Sequence, residues 1–321
     1  MGSRKFVGID IGGTTIKAAL IGDAATVEQR AAVPTPAGGD AVRMAEQLSA
    51  LVDELRGSAR QQIDAVGVGV PGIVDENRGS TRAAVNLRIP ADAPLRGLLQ
   101  DALGVPVFLG HDLRMFTIAE TRLGAGRGLR DFIAASIGSG IGIGIVIGGE
   151  IYTRSTGDWG HMTIDYRGAP CGCGGRGCLE AMASGPAIAR AARQRGRAEA
   201  TSLGSSAEIA RATAEDVFQA AREGDAMCRD VVRDAADALG AGIATLFALL
   251  NPQALIIGGG VAESWDVLFP LLRESLSTRA PLFPDAASRV LRAALGRDAG
   301  CIGAALFARE KLGGAAGVQE A

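Results

Sequence analysis

One imidazole and three thiols lie close together in the sequence, at His161, Cys171, Cys173 and Cys178. A closed tetrahedral zinc site uses this Cys₃His set of donors, and thiolates favour zinc over magnesium or calcium. Free cysteines in a glycine-rich loop are the alternative, but the other two cysteines, Cys228 and Cys301, are scattered singly. The pattern therefore predicts a structural zinc ion, because four protein ligands would leave no position open for a catalytic water.

Two short hairpin turns are rich in glycine and hydroxyl side chains, namely Asp10-Ile-Gly-Gly-Thr-Thr15 and Ser136-Ile-Gly-Ser-Gly140. Unhindered backbone N–H groups and hydroxyls in such turns can point at phosphate oxygens. Glycine-rich hairpins without a ligand are common, so neither turn is specific when it is taken alone. The candidate phosphate ligands are Gly12, Gly13, Thr14, Thr15, Lys17, Gly138, Ser139 and Gly140.

Asp10 stands beside the first turn, where its carboxylate would repel a bare phosphate. A cation such as Mg²⁺ between the two groups would remove that repulsion, so the pairing indicates a site for a nucleotide with Mg²⁺. A third glycine run, Gly258-Gly259-Gly260, can let a nucleobase, a ribose or a phosphate approach the backbone. A tight strand-to-helix turn is the alternative for this run, which fits neither a P-loop nor a dinucleotide fingerprint.

A carboxylate that could act as a general base follows a strand-like segment at Asp112. Proteins of the α/β class place ligand groups at strand ends, and an aspartate there could take a proton from a hydroxyl. The same position suits an aspartate that caps a helix beginning at Leu113. The residues alone leave both roles open. Residue type alone does not distinguish Asn86, Asp158 and Glu180 from ordinary surface or turn residues.

These residues must be positioned by two similar α/β halves. In the first half, periodicity predicts the order βββαβαβ over residues 5–10, 15–20, 27–33, 40–55, 65–70, 95–103 and 105–109. A second glycine-rich hairpin then restarts the pattern, over 131–136 and 141–147. The remaining elements are helices over 186–194 and 214–250 around a 196–206 loop, a strand over 254–257, a helix through 265–276, a strand near Val290 and a helix over 301–311. We expect residues 313–321 to be a disordered tail.

Composition limits the classes of protein that the chain can be. Its 321 residues, 47% of them hydrophobic, suffice for about two domains and exclude a disordered chain. The net charge of −2 supplies no global positive field, so we expect neither nucleic acid nor a membrane as a partner. The scattered cysteines suit a reducing compartment. Because no leader and no apolar stretch long enough for a membrane span is apparent, we expect a cytoplasmic protein.

In this order the motifs resemble those of the ROK family (repressor, open reading frame, kinase) of sugar kinases and sugar-responsive proteins. Asp10-Ile-Gly-Gly-Thr-Thr15 is similar to the family's first phosphate motif. Its sugar-and-zinc signature is similar to Gly157-Asp158-Trp-Gly-His161 followed by Cys171-Gly-Cys-Gly-Gly-Arg-Gly-Cys178-Leu-Glu180. The resemblance implies the actin/hexokinase-like (ribonuclease-H-like) duplicated fold, with two α/β domains around a cleft. The small domain would span 1–112, completed by a C-terminal helix over 300–312, and the large domain, with the zinc knuckle, 113–299.

The resemblance also implies an activity, since kinases of the family transfer the γ-phosphoryl group of ATP, with Mg²⁺, to a hexose hydroxyl that is usually on C6. Carried over, it makes Asp112 the base that takes the hydroxyl proton, and the two hairpin turns the phosphate sites. His161 would bind zinc through one ring nitrogen and offer the other to the sugar. The implied sugar ligands are Asn86, His111, Asp158, His161 and Glu180.

Two departures from the family pattern concern the sugar. His111-Asp112-Leu113-Arg114 stands where the family usually has Asn-Asp-Ala-Asn, and Asp158 stands where it usually has Glu. The base is kept while its neighbours differ. The sequence therefore predicts a glucokinase-type hexose 6-kinase acting on glucose or on an amino or C2/C3-modified glucose, with kanosamine (3-amino-3-deoxyglucose) and N-acetylhexosamines as alternative substrates.

A sugar-sensing regulator of the same family, without catalysis, is the alternative from another functional class. Many such proteins carry an N-terminal helix-turn-helix, which we do not expect here because the first strand begins at Lys5. Retention of Asp112 and of both phosphate turns also favours a kinase. The resemblance further implies a homo-oligomer, either a dimer or a tetramer.

Overall fold

The computed structural model describes residues 4–23, 25–36, 40–57, 61–76, 78–83, 90, 92–155 and 157–318. The chain divides into two compact units, one made of Met1–Arg127 with Arg297–Ala321 and the other of Gly128–Gly296. Among the described residues, each unit is built on one five-stranded sheet. In both sheets three antiparallel strands lead into two further strands that run parallel.

The elements of the first unit position the first glycine-rich turn and the strand that ends just before Asp112. They are, in chain order, β1 Lys5–Ile11, β2 Thr15–Gly22, β3 Val27–Pro34, α1 Ala41–Arg56, β4 Ala65–Val70, β5 Ile73–Asp75, β6 Ser80–Ala83, α2 Leu95–Leu103, β7 Val107–His111 and α3 Asp112–Arg122. The sheet has the strand order β3-β2-β1-β4-β7. Because β1, β4 and β7 are parallel, their carboxyl ends lie at one edge, with Asp10 beside Gly69 and His111 beside Val70.

The second unit repeats this plan around the second hairpin. Its elements are β8 Phe132–Ile137, β9 Ile141–Ile147, β10 Glu150–Ile151, α4 Glu180–Ala183, α5 Gly185–Arg195, α6 Ser206–Ile209, α7 Ala214–Arg222, α8 Ala226–Leu250, β11 Ala254–Gly258, α9 Trp265–Arg279 and β12 Val290–Arg292. The sheet has the strand order β10-β9-β8-β11-β12. The last helix of the chain, α10 Ala299–Val318, belongs to the first unit.

Local sequence explains where the main helices begin and what they bury. Asp40 caps α1 by accepting a hydrogen bond from the Val42 N–H (2.9 Å), and Asp225 caps α8 in the same way from the Cys228 N–H (2.8 Å). The buried side of α1 consists of residues at helical spacing, namely Met44, Ala45, Leu48, Leu51, Val52 and Leu55. Asn251, in the left-handed conformation, ends α8.

The duplicated actin/hexokinase-like fold predicted from the sequence is confirmed, and the hairpin β8–β9 repeats β1–β2. Between the predicted strand over 65–70 and the predicted helix over 95–103, the structure adds the short hairpin β5–β6, for which the sequence analysis gave no element. The first unit also extends to Arg127, beyond the boundary expected at residue 112, because α3 packs closely on α10. A Cβ at Gly303 would lie 1.7 Å from the Met115 carbonyl oxygen.

The C-terminal segment differs from the expected disordered tail over 313–321. Helix α10 continues to Val318, and no proline interrupts its backbone hydrogen bonds. Residues 319–321 lie outside the described residues. Among the residues that the structure describes, no helix combines the length and the apolar character that crossing a bilayer requires.

Candidate functional site

Asp112 is the first residue of α3 and follows directly on β7. Its Oδ1 accepts a hydrogen bond from the Leu113 N–H (2.7 Å), and His111 Nδ1 lies 3.2 Å from the same oxygen. The cap position of α3 is held by His111, whose Nδ1 also faces the Leu113 N–H (3.3 Å). Asp112 therefore lies inside the helix, one residue after the cap position that the sequence offered as its alternative role.

A second carboxylate, that of Asp10, lies at the same sheet edge. The pKa of Asp10 is raised to about 6, mainly by burial and also by the negative charge of Asp112, while the positive charge of Lys17 acts in the opposite direction. Burial likewise raises the pKa of Asp112 to about 6, against the hydrogen bond from the Leu113 N–H. Two carboxylates at one sheet edge, where the charge of Asp112 raises the pKa of Asp10, suit a divalent cation such as Mg²⁺, which prefers oxygen ligands.

The first glycine-rich turn joins β1 to β2 and has an exposed tip. The Gly12 N–H donates to the Thr15 carbonyl (3.1 Å), so Gly12 shapes the turn with that group and does not offer it to a ligand. Gly13 and Thr14 are exposed at the tip. A Cβ on Gly13 would meet no atom within 4 Å, so a ligand can approach the backbone there.

The other two glycine runs meet in the second unit. The Gly138 N–H donates to the Gly140 carbonyl (2.9 Å), and the Gly138 carbonyl accepts from the Gly185 N–H (2.8 Å). Gly259 lies against the same turn with a φ of 86°, and a Cβ there would be 2.4 Å from the Ile137 carbonyl oxygen. Only glycine fits this position. The turn that contains Ser139 and the Gly258–Gly260 run thus form one backbone surface.

The 3₁₀ turn Gly260–Ser264 separates this run from α9. The helix predicted through 265–276 is confirmed, since α9 covers Trp265–Arg279. Because α9 begins only at Trp265, its N-terminus does not border the turn that contains Ser139. The backbone of the glycine run borders that turn instead.

Glu180 connects this surface to the cysteine cluster. Its Oε2 accepts a hydrogen bond from the Ile141 N–H (3.0 Å), at the start of β9. A side chain at Gly140 would collide with the same carboxylate, 2.8 Å away. The residue before Glu180, Leu179, donates its N–H to the Met162 carbonyl (3.0 Å). Glu180 is therefore held beside the second hairpin turn by the segment that follows the cysteines.

The structure brings His161, Cys171, Cys173 and Cys178 together, with one donor atom of each within 4.8 Å of all the others. Cys171 Sγ lies 3.8 Å from His161 Nδ1, and Cys173 Sγ lies 3.7 Å from Cys178 Sγ. Zinc–sulfur bonds of about 2.3 Å give a tetrahedron with edges of about 3.8 Å. The donor set and its spacing therefore fit a single tetrahedral metal ion.

Glycine makes the fold of this loop attainable. Gly177 has a φ of 67°, and a Cβ there would lie 1.5 Å from the Asp165 carbonyl oxygen. The Gly177 N–H donates to Ala169 and its carbonyl accepts from Ile164, both at 2.8 Å. These bonds place the cysteine loop beside the 3₁₀ turn Trp159–His161. Burial raises the pKa of the Cys178 thiol to about 12.

The remaining sugar-ligand predictions have different outcomes. Asp158 is exposed and starts the 3₁₀ turn that carries His161. Asn86 lies outside the described residues. Thr35, which sequence reasoning missed, contacts two backbone carbonyls of the β1–β2 turn. In the sequence, the position of Thr35 between Pro34 and Pro36 is the one feature that could have indicated this role.

The chain is similar over nearly its whole length to proteins of known family. A sequence profile of the ROK family matches residues 6–311. Glucokinase from Halalkalibacterium halodurans is 35% identical, over 97% of this chain and 97% of its own length. A ROK family glucokinase from Streptomyces griseus, whose crystal structure is in complex with glucose and AMPPNP, is 33% identical, with a TM-score of 0.84 over 96% of this chain and 100% of that one. The DNA-binding transcriptional repressor Mlc from Escherichia coli is 30% identical over 68% of this chain and 54% of its own length.

A duplicated α/β fold with two glycine-rich hairpin turns, an aspartate after a parallel strand and a Cys₃His cluster defines a class of proteins related to sugar kinases. Within that class, the profile match over nearly the whole chain decides the family. This chain belongs to the ROK family.

Proposed function

We propose that this protein is an ATP-dependent hexose 6-kinase of the glucokinase type. The observation that carries the proposal is the half-buried carboxylate of Asp112 at the sheet edge that also holds Asp10 and the β1–β2 turn. The proposed general base therefore lies at the same sheet edge as the proposed phosphate-binding turn, within one unit. The full-length similarity to glucokinases supports glucose as the first substrate.

In the proposed reaction, Asp112 takes the proton of the C6 hydroxyl as that oxygen forms its bond to the γ-phosphorus of ATP. The bond between the γ-phosphorus and the bridging β,γ-oxygen breaks, and ADP leaves with Mg²⁺. The proton ends on Asp112 and then passes to water. Asp10 and Lys17 border the turn with one charge of each sign, and positioning with charge neutralisation does most of the work in such a transfer.

Zinc is the proposed ion of the Cys₃His cluster, held by His161, Cys171, Cys173 and Cys178. When bound, it supplies structural support and no open coordination position. Because Nδ1 of His161 faces the cluster, the other ring nitrogen is proposed to contact the sugar together with Glu180. His111, Asp158 and Asn86 are proposed as further sugar ligands, and the glycine runs 138–140 and 258–260 as nucleotide contacts.

A panel of sugars tests the proposal. The purified protein is assayed for ADP release with ATP, Mg²⁺ and, in turn, glucose, mannose, N-acetylmannosamine, glucosamine and kanosamine. Sugar-dependent ADP release with a C6-phosphorylated product is the expected result, and its absence with every sugar would favour the regulator class. A preference for kanosamine over glucose would assign the departures at His111 and Asp158 to substrate choice.

The pH dependence of the reaction is a prediction of its own. Asp112 must be ionised to accept a proton, and burial raises its pKa to about 6. We expect kcat/KM to rise about tenfold per pH unit below pH 6 and to level off above it. The measurement is the pH profile of kcat/KM with saturating Mg²⁺. A profile that is flat from pH 5 to 8 would contradict the assignment of Asp112 as the base.

The same shifts set the sign of the pH effect on stability. Because the native pKa values of Asp10 and Asp112 are raised, the native state binds more protons than the unfolded state between about pH 4 and 6. Their contribution to the free energy of unfolding therefore falls as pH rises through this window. Urea unfolding of wild type and of Asp10→Asn at pH 5 and pH 7 separates this contribution from the rest of the chain.

A further inference from the structure

Thr35 holds the backbone of the β1–β2 turn from outside. Its Oγ1 donates a hydrogen bond to the Gly12 carbonyl (2.6 Å), and its own N–H donates to the Thr14 carbonyl (3.0 Å). One residue beyond the end of β3 therefore binds two of the carbonyl groups of the turn. We propose that Thr35 is a positioning residue for phosphate binding, a role that rests on the proposed function of the turn.

The stereochemistry of the peptide unit explains how these two bonds would act. The peptides of the described turn are trans, so in each planar unit the carbonyl and the following N–H point in opposite directions. A Gly12 carbonyl directed at Thr35 turns the Gly13 N–H away from Thr35. The bond to the Thr14 carbonyl does the same for the Thr15 N–H. Thr35 thus fixes the directions of two N–H donors.

The partial charges of the carbonyl and N–H groups in the turn also favour this role of Thr35. A carbonyl oxygen carries partial negative charge and repels phosphate, whereas an N–H group attracts it. By retaining the Gly12 and Thr14 carbonyls, Thr35 keeps their oxygens directed at β3 and leaves the exposed tip at Gly13 and Thr14 to present donors. Without the Oγ1 bond, glycine's wide range of backbone conformations would let the Gly12–Gly13 peptide rotate.

Thr35 is itself well anchored. Pro34 and Pro36 flank it, and a residue that precedes proline is restricted to extended conformations. The Pro34 carbonyl accepts a hydrogen bond from Gln47 Nε2 of α1 (2.9 Å). The Thr35 side chain is half-buried. The bond donor therefore has a fixed backbone, as a residue that orients a flexible glycine turn requires.

Binding and kinetics of Thr35→Val test this role, because valine keeps the branched shape and loses the hydroxyl. We expect KM for ATP and Kd for Mg·ATP to rise about tenfold, equivalent to about 1.4 kcal/mol, with Kd for adenosine and KM for the sugar unchanged. Thr35→Ser, which keeps the hydroxyl, should restore wild-type values. Thr245→Val, which removes an exposed hydroxyl bonded to the Ala241 carbonyl in α8, is the matched control and should change none of them.

Unchanged Kd for Mg·ATP in Thr35→Val, or equal weakening of Mg·ATP and adenosine, would overturn the inference. Should thermal unfolding show that Thr35→Val does not fold, Thr35→Ala tests the same hydroxyl. The binding arm needs no turnover. If the wild type binds Mg·ATP but phosphorylates no sugar, the proposed function fails, while selective weakening in Thr35→Val would still support the role of Thr35.

Discussion

Replacing Asp112 with asparagine is expected to lower kcat for phosphoryl transfer by about 10²–10⁴-fold, the usual cost of losing a general base. Asparagine has the shape of aspartate and can still accept the hydrogen bond from the Leu113 N–H, which reaches Asp112 Oδ1 at 2.7 Å. What it cannot do is take a proton from a hydroxyl. The fold and the affinity for the sugar should therefore change little.

Three measurements on Asp112→Asn separate catalysis from structure. Steady-state kinetics gives kcat, isothermal titration gives the Kd of the sugar, and thermal melting gives the unfolding midpoint. Asp101→Asn in α2, a change of the same chemistry outside the proposed site, is the control and should keep wild-type kcat. A near-normal kcat in Asp112→Asn would mean that the carboxylate serves only the start of α3, and the proposed mechanism would be wrong.

Features whose residues lie close together along the chain could be predicted from the sequence alone. The hairpin β1–β2 could be predicted because its strands and its glycine turn lie within Lys5–Gly22. The cysteine cluster could be predicted for the same reason, since its three thiols and one imidazole come from a single stretch. The proximity of Asp10 and Asp112 was not predicted, because it depends on the parallel pairing of β1, β4 and β7, which brings their carboxyl ends to one sheet edge.

Features that depend on backbone register or on distant packing could not be predicted in this way. The contact of Thr35 with Gly12 is made to a carbonyl oxygen, which every residue possesses, so residue type gives no signal for it. The placement of α3 in the first unit depends on α10, which the whole second unit separates from it along the chain. Asp112 itself was ambiguous in sequence because a base and a helix cap use the same side chain.

Removing one thiolate from the Cys₃His cluster is expected to remove the zinc ion and to unfold the loop that carries the cysteines in the second unit. Structural zinc contributes about 10–16 kcal/mol of apparent binding free energy in zinc-finger peptides, and that energy folds the loop. In Cys171→Ala we expect zinc content to fall from one ion per chain toward zero. The Ile164 and Gly177 amides, whose hydrogen bonds of 2.8 Å close the loop, should lose protection from hydrogen exchange.

The kinetic consequence should fall on the sugar and spare the nucleotide. The cysteine loop positions His161 and, through the bond between Leu179 and Met162, the segment that carries Glu180. We therefore expect KM for the sugar to rise about tenfold or more in Cys171→Ala, by analogy with the 10–100-fold losses that follow weaker disturbance of metal sites, while Kd for Mg·ATP stays within about twofold. Cys228→Ala is the matched control, because this buried thiol lies in α8 beside Thr201 and outside the cluster. This variant should keep one zinc ion per chain.

Elemental analysis of the wild-type protein tests the zinc assignment, which a metal content near zero in active protein would refute. A Cys171→Ala variant that loses zinc but keeps the wild-type KM for the sugar would show that the metal does not position the sugar ligands.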